Sequence, residues 1–268
     1  MNFLRTVIAL CSGFQSYRLM RDLTVTASLK HLLKLMSVLS LILLASFVPW
    51  VIGIGDNFAK WADQHFPPFS IRDGKVTTTA TQPFHAGEGD FLFVLDTTGK
   101  ITEPDPKALQ GILFTADSFV VWLRATNAPD AFVQSQRHSL RGFPDGVVNG
   151  DYLRKLFRML VWVGLPFTLL ILILLAFSST LLQAYLFSAM ASLMERSMPS
   201  PLQWRQLLNI AIYAITPAAI IVTAYAAMRL HELNLWLIYL IAYGIFLVGA
   251  TNACRDREIE KPRENDLL

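Results

Sequence analysis

The tetrapeptide Asp96-Thr97-Thr98-Gly99 invites a chemical reading by residue type and spacing. An Asp-Thr-Gly loop supplies each of the two carboxylates that share a proton in aspartic proteases, but here an extra threonine separates aspartate from glycine. In ion-pumping ATPases the phosphorylated aspartate is followed by lysine, whereas this chain has Thr97 and no nucleotide-binding domain. Turn chemistry gives the plainer account: Asp96 ends a strand and accepts hydrogen bonds from nearby backbone N–H groups. His85, Glu88 and Asp90 gather around Gly87 and Gly89. Their spacing matches no zinc or calcium loop, so they read as a polar loop. His65, His138 and His231 stand apart from one another, and His31 sits among basic residues. Gly142, Gly146 and Gly150 come with Pro144 and Asn149, which spells loop and not phosphate cradle. No Ser-His-Asp or Cys-His signature is visible either. The expectation is a chain that is not an enzyme and has no catalytic, cofactor-binding or metal-binding residues.

A second set of polar residues lies inside apolar runs. Asn209, Tyr213, Thr216 and Pro217 are spaced to share one helix face, Pro166 lies in an earlier run, and Tyr239, Tyr243 and Asn252 lie in the last. Such groups either line an intramembrane polar cleft for a small molecule or lipid, or serve as interhelical hydrogen-bond partners and kink sites. Proton- and ion-coupled carriers keep acidic, basic or histidine groups within their spans. The apolar runs here contain none.

The elements that must position these residues follow from composition. Of 268 residues, 53% are hydrophobic and 16% charged, and the mean hydropathy is +0.43. A bilayer is the solvent such a chain needs. The net charge of +3 is spread beside apolar runs, which argues against a nucleic-acid partner. Cys11 and Cys254 lie near opposite ends, so the polar middle must fold without a disulfide. Arg18, Arg21, Lys30 and Lys34 precede the first long apolar run, an order unlike that of a cleaved signal peptide.

The predicted fold is an α-helical polytopic membrane protein, a four-helix transmembrane bundle with an inserted, small, sheet-rich (α+β) extracytoplasmic domain. Residues 1–34 form a cytoplasmic amphipathic segment, 35–54 the first span, 55–155 the extracytoplasmic domain, and 156–191 the second span with a cytoplasmic extension. A cytoplasmic loop covers 192–206. The third span is 207–228, an external turn 229–232, the fourth span 233–253, and a cytoplasmic tail 254–268. Orientation rests on Arg and Lys beside the span ends, namely Arg5, Arg18, Arg21, Lys30, Lys34, Arg196, Arg205, Arg255, Arg257, Lys261 and Arg263, which four spans bring to one side. Arg154, Lys155 and Arg158 oppose that bias at the other end of the second span. Trp50, Trp162, Trp204 and Trp236 fall near span ends, where the headgroup region suits an amphipathic ring. Phe3, Leu4, Val7, Ile8, Cys11 and Phe14 recur at helical spacing. That segment either lies along the inner membrane surface or packs against the bundle's cytoplasmic end, and periodicity does not separate the two.

Within the insert, Phe69 to Arg72 and Val76 to Thr79 flank Asp73-Gly74-Lys75, a hairpin signal. Phe91 to Leu95 reads as a strand, and Ile112 to Thr115 and Phe119 to Leu123 form a second hairpin about Ala116-Asp117-Ser118. A short helix is expected near Pro106 to Gln110. Phe91, Phe93, Val94, Val120, Val121 and Trp122 are the expected core.

Phe14 to Tyr17, Phe69 to Val76, Phe93 to Gly99 and Tyr213 to Pro217 together resemble a bacterial membrane-protein family known mainly as a domain of unknown function, some members of which bear the name maltodextrin-utilisation protein. The resemblance spans nearly the whole chain. It implies an architecture in the bacterial cytoplasmic (inner) membrane and carries over no catalytic residues. A sugar-stacking cluster would have to be built from Trp61, Phe66, Phe69 and Trp122. The leading expectation is a non-enzymatic envelope sensor, docking or scaffold protein with both termini cytoplasmic, whose partners are the lipid bilayer and an envelope protein or glycan, with homo-oligomers possible. The alternative is a transport or lipid-handling component working through Asn209, Tyr213, Thr216, Pro217 and Pro166.

Overall fold

A computed structural model describes residues 2–88, 90–105, 108–124, 133–195, 201–230 and 234–259. The chain divides into two compact units. One comprises residues 1–50 and 163–268, the other residues 51–162. Among the described residues, four helices are long and apolar enough to cross a membrane: α3 (Val25–His65), α4 (Gly150–Glu195), α5 (Trp204–Ala227) and α6 (Leu235–Ile259).

Helices α3, α4 and α6 run past the spans expected from hydropathy. Helix α3 has 41 residues, which at 1.5 Å each is about 60 Å, roughly twice the hydrocarbon thickness. Loss of apolar character marks where lipid ends, and neither Asp56 nor the residues after it break a helix. The stop comes at His65, just before Phe66-Pro67-Pro68, because a residue preceding proline is driven out of the α region. Helix α4 has 46 residues and likewise exceeds 156–191 at both ends. The last helix runs on to Ile259, beyond the expected span end at Ala253. His231 and Glu232 of the expected turn, and the tail beyond Ile259, lie outside the described residues.

In the first unit α5 is the central element, with every residue from Leu207 to Ala219 buried. Leu32, Leu35 and Met36 of α3, Ala184 of α4, and Tyr243, Ala250 and Cys254 of α6 join it in one core. The N-terminal segment adds α1 (Phe3–Ser12) and α2 (Tyr17–Arg21), which bury Leu10, Tyr17 and Met20 in the same core. The segment packs one face against the bundle and leaves Leu4 and Ile8 exposed on the other. Arg18 Nε donates to the Ala253 carbonyl at 2.7 Å and an Arg21 guanidinium N–H to the Cys254 carbonyl at 2.8 Å. Phe14 lies edge-on to Phe246 and fills the space that a side chain at Gly249 would need. At the end of α5, Arg229 takes a positive φ of 56°, donates to the Ser46 carbonyl and covers the rings of Phe47 and Trp50. Asn234 opens α6 by accepting from the Trp236 N–H at 2.9 Å, a capping role natural to asparagine.

The described residues of the second unit form two sheets. Strands β1 (Phe69–Arg72), β2 (Lys75–Thr78) and β8 (Gly146–Val148) pair in the order β2-β1-β8. The other sheet has the order β3-β4-β5-β6-β7, from β3 (Phe84–Glu88), β4 (Phe91–Leu95), β5 (Gln110–Phe114), β6 (Ser118–Arg124) and β7 (Val133–Ser139). Only the β4–β5 pairing is parallel among the described strands. The β1–β2 turn has positive φ at Asp73 and Gly74, 49° and 70°, as a two-residue hairpin turn requires, so Lys75 belongs to the strand and pairs with Arg72. Alternation along β4 sends Phe93 and Leu95 into a core with Phe69, Ile71, Val76 and Val148, while Val94 joins Leu113, Val120 and Trp122 on the other face.

Several expectations for this unit need correction. Val121 alternates outward and is exposed, and Phe91 is only half-buried. The short helix near Pro106 to Gln110 is replaced in part by β5, which begins at Gln110; Pro106 and Lys107 lie outside the described residues. The presumed polar loop around His85 and Glu88 is strand β3, where His85 pairs with Val94 and Glu88 with Phe91. Gly146, expected in a loop, starts β8.

Candidate functional site

Asn209, Tyr213, Thr216 and Pro217 do share one face of α5, and all are buried. Asn209 has its hydrogen bonds filled. Its Nδ2 donates to the carbonyls of Arg21 at 3.0 Å and Leu23 at 2.6 Å, and its Oδ1 accepts from Ser28 Oγ at 2.8 Å. Two turns further along, Thr216 Oγ1 lies 3.1 Å from His31 Nε2. The His31 ring sits 4.7 Å from that of Tyr213 and 5.4 Å from that of Phe3. The polar face of α5 is therefore matched by Ser28 and His31 at i and i+3 on α3, which project to the same side. Tyr239 donates to Gln183 Oε1 at 2.7 Å and Tyr243 to the Ala211 carbonyl at 3.2 Å, tying α6 to α4 and α5. Pro166 stands exposed on α4 and does not line the cavity that reaches Tyr213.

His31 is the residue that sequence reasoning missed. The charge-free run from Leu35 to Ile54 contains no histidine, but α3 begins at Val25, and His31, at 7% exposure, belongs to the buried core of the bundle. Its flanking lysines hid it. A helical wheel starting at Ser28 would have found it, because Ser28, His31, Leu32 and Leu35 form a single buried stripe.

In the second unit Asp96 is fully buried at the end of β4. It accepts from the Thr98 N–H at 2.9 Å, the Thr98 hydroxyl at 2.5 Å and the Ile101 N–H at 2.6 Å. Burial alone would raise its carboxyl; the hydrogen bonds from Thr98, Ile101 and Lys100 outweigh that and hold it below the ordinary carboxylate value. Both oxygens are occupied by donors of the loop they organise. Among the described residues, no group of three or more His, Cys, Asp or Glu side chains is placed to hold a metal ion.

Of the aromatic residues considered for stacking, Phe69 and Trp122 are core, and Phe66 stacks on Phe93 at 3.7 Å. Trp61 is different. With Phe58 and Phe91 it lines an open depression of about 420 Å³, flanked by the amides of Asn57 and Gln110. Its ring lies 5.9 Å from Phe58 and 5.7 Å from Phe91.

These features define a helical membrane protein of unknown role, with four long apolar helices and a sheet-rich insert. The family model described as "Protein of unknown function (DUF1189)" matches residues 7–251, and the chain belongs to that family. No curated protein and no solved structure matches it.

Proposed function

We propose that the chain is a non-enzymatic docking protein of the bacterial cytoplasmic membrane, anchored by its helices and reading an envelope glycan or protein through its sheet-rich unit. The observation that carries this reading is the aromatic depression at Phe58, Trp61 and Phe91 with Asn57 and Gln110 beside it. Aromatic faces bordered by a few amides suit a ligand with apolar CH faces and hydroxyl edges, the chemistry of a saccharide. The sheet unit is extracytoplasmic and both termini are cytoplasmic in this reading, supported by the Arg and Lys that flank the other connections. Arg154 and Arg158 weigh little against it because they adjoin a long insert, where the charge rule does not count, and both pair with Asp56. A photo-crosslinking residue at position 58 in intact cells tests the proposal. A glycan or protein adduct that disappears in Trp61→Ala is expected; no adduct with the parent chain would overturn it.

The second reading, transport or lipid handling, draws support from the cavity that reaches His31 and Tyr213 in the bundle. Of Asn209, Tyr213 and Thr216, Tyr213 lines that cavity, so Tyr213→Ala would then abolish flux. Unchanged flux excludes that route.

A further inference from the structure

In the helical unit a cavity of about 400 Å³ opens between the N-terminal segment and the first turns of α3. We propose that it binds the anionic headgroup of a membrane phospholipid, whichever role the chain as a whole performs. Lys30 and Lys34 line it and are exposed, while His31 and Tyr213, which also line it, are buried. The cavity thus has a cationic rim and a polar inner end. Among the described residues no carboxylate lines it, and neither lysine forms an ion pair.

Lys30 and Lys34 stand four apart on one helix face, where like charges repel. A phosphate between them turns that repulsion into two attractions. The nearest acid in the sequence, Asp22, is engaged by Arg21 and Gln206 and is not among the lining residues. Depth supports a lipid source. Lys34 directly precedes the charge-free run Leu35 to Ile54, so the two lysines fall where headgroups lie. The walls include Phe3, Leu19 and Leu23, and Leu19 is 64% exposed, an apolar surface that an acyl chain covers and a free phosphate does not.

The test uses the full chain in a neutral detergent, titrated with short-chain phosphatidylglycerol and followed by native mass spectrometry. Parallel arms use short-chain phosphatidylcholine and inorganic phosphate as competitors. Saturable binding of phosphatidylglycerol is expected, with weaker binding of phosphatidylcholine and no displacement by equimolar phosphate. Each lysine replaced by glutamine should weaken binding about fivefold, and K30Q with K34Q about 25-fold. The paired arginine variant, K30R with K34R, should keep most of the affinity. An affinity for phosphatidylglycerol unchanged in the double glutamine variant overturns the proposal. So does equal binding of phosphatidylcholine, and so does displacement by phosphate, which would mark a free-anion site.

Discussion

Ser28 Oγ donates to Asn209 Oδ1 at 2.8 Å, joining α3 to α5 through two fully buried side chains. Asn209 also holds the carbonyls of Arg21 and Leu23, so one amide fixes two helices and the segment leading into α3. Ser28→Ala should cost about 0.6 kcal/mol and at most about 1.7, the range for hydrogen bonds between helices in lipid. Asn209→Ala should cost more, about 1–3 kcal/mol, because buried carbonyls lose their donor. Thermal unfolding in detergent measures both. Strict additivity of the double variant would show that the Ser28–Asn209 bond contributes nothing.

His31 and Thr216 allow a hydrogen bond to be separated from packing. Thr216→Val keeps the shape and removes the hydroxyl facing His31 Nε2, a loss of about 1 kcal/mol. His31→Ala also empties the space between Phe3 and Tyr213 and should cost about 2–4 kcal/mol. Equal losses in the two variants would mean that the ring contributes no packing.

Gly249 is where the N-terminal segment meets α6. A Cβ there would lie 2.5 Å from the Phe14 ring, so Gly249→Ala should displace the segment at a cost of about 1–3 kcal/mol. Amide exchange across residues 3–21 should accelerate, and Phe14→Ala should restore tolerance of the new methyl group. Unaltered exchange in Gly249→Ala would contradict the close contact.

Asp96 gives the sheet unit an acid-sensitive joint. Because its folded carboxyl titrates below the ordinary 3.8, its contribution is complete above that pH and is lost as pH falls through the lowered folded value. Asp96→Asn puts an NH₂ group where N–H or O–H donors already point and should cost about 1–3 kcal/mol at pH 7. Amide exchange in β4 and β5, followed from pH 6 to pH 2.5, should show a smaller acid loss in the variant than in the parent. The same acid loss in both would assign it to other carboxylates.

How much of this could be read in advance depended on the residue. Asp73-Gly74 announced its hairpin because positive φ at both positions is a local demand that the sequence states outright. The face shared by Asn209, Tyr213 and Thr216 followed from helical spacing alone. Its partners did not, since Ser28 and His31 lie where Lys30 and Lys34 make the helix look aqueous. Strand β3 went unread because His85-Ala86-Gly87 carries little intrinsic strand preference and is held by pairing with β4. Strand β7 offered no alternation, as every residue from Gln134 to Ser139 is polar and exposed on an edge strand. Helix ends are not legible where apolar character stops before helical geometry does, at His65 above all.

Labelling with a membrane-impermeant maleimide tests the central claim, that the sheet-rich unit faces outward while the N-terminal segment stays inside. Cys11 is exposed and Cys254 buried, so the parent chain carries one accessible reporter in the N-terminal segment. Lys100→Cys in a Cys11→Ser background places another on an exposed loop of the sheet unit. In intact spheroplasts the thiol at position 100 should react at once, and Cys11 only after the membrane is permeabilised. Labelling of Cys11 in sealed spheroplasts while position 100 stays protected would contradict the account.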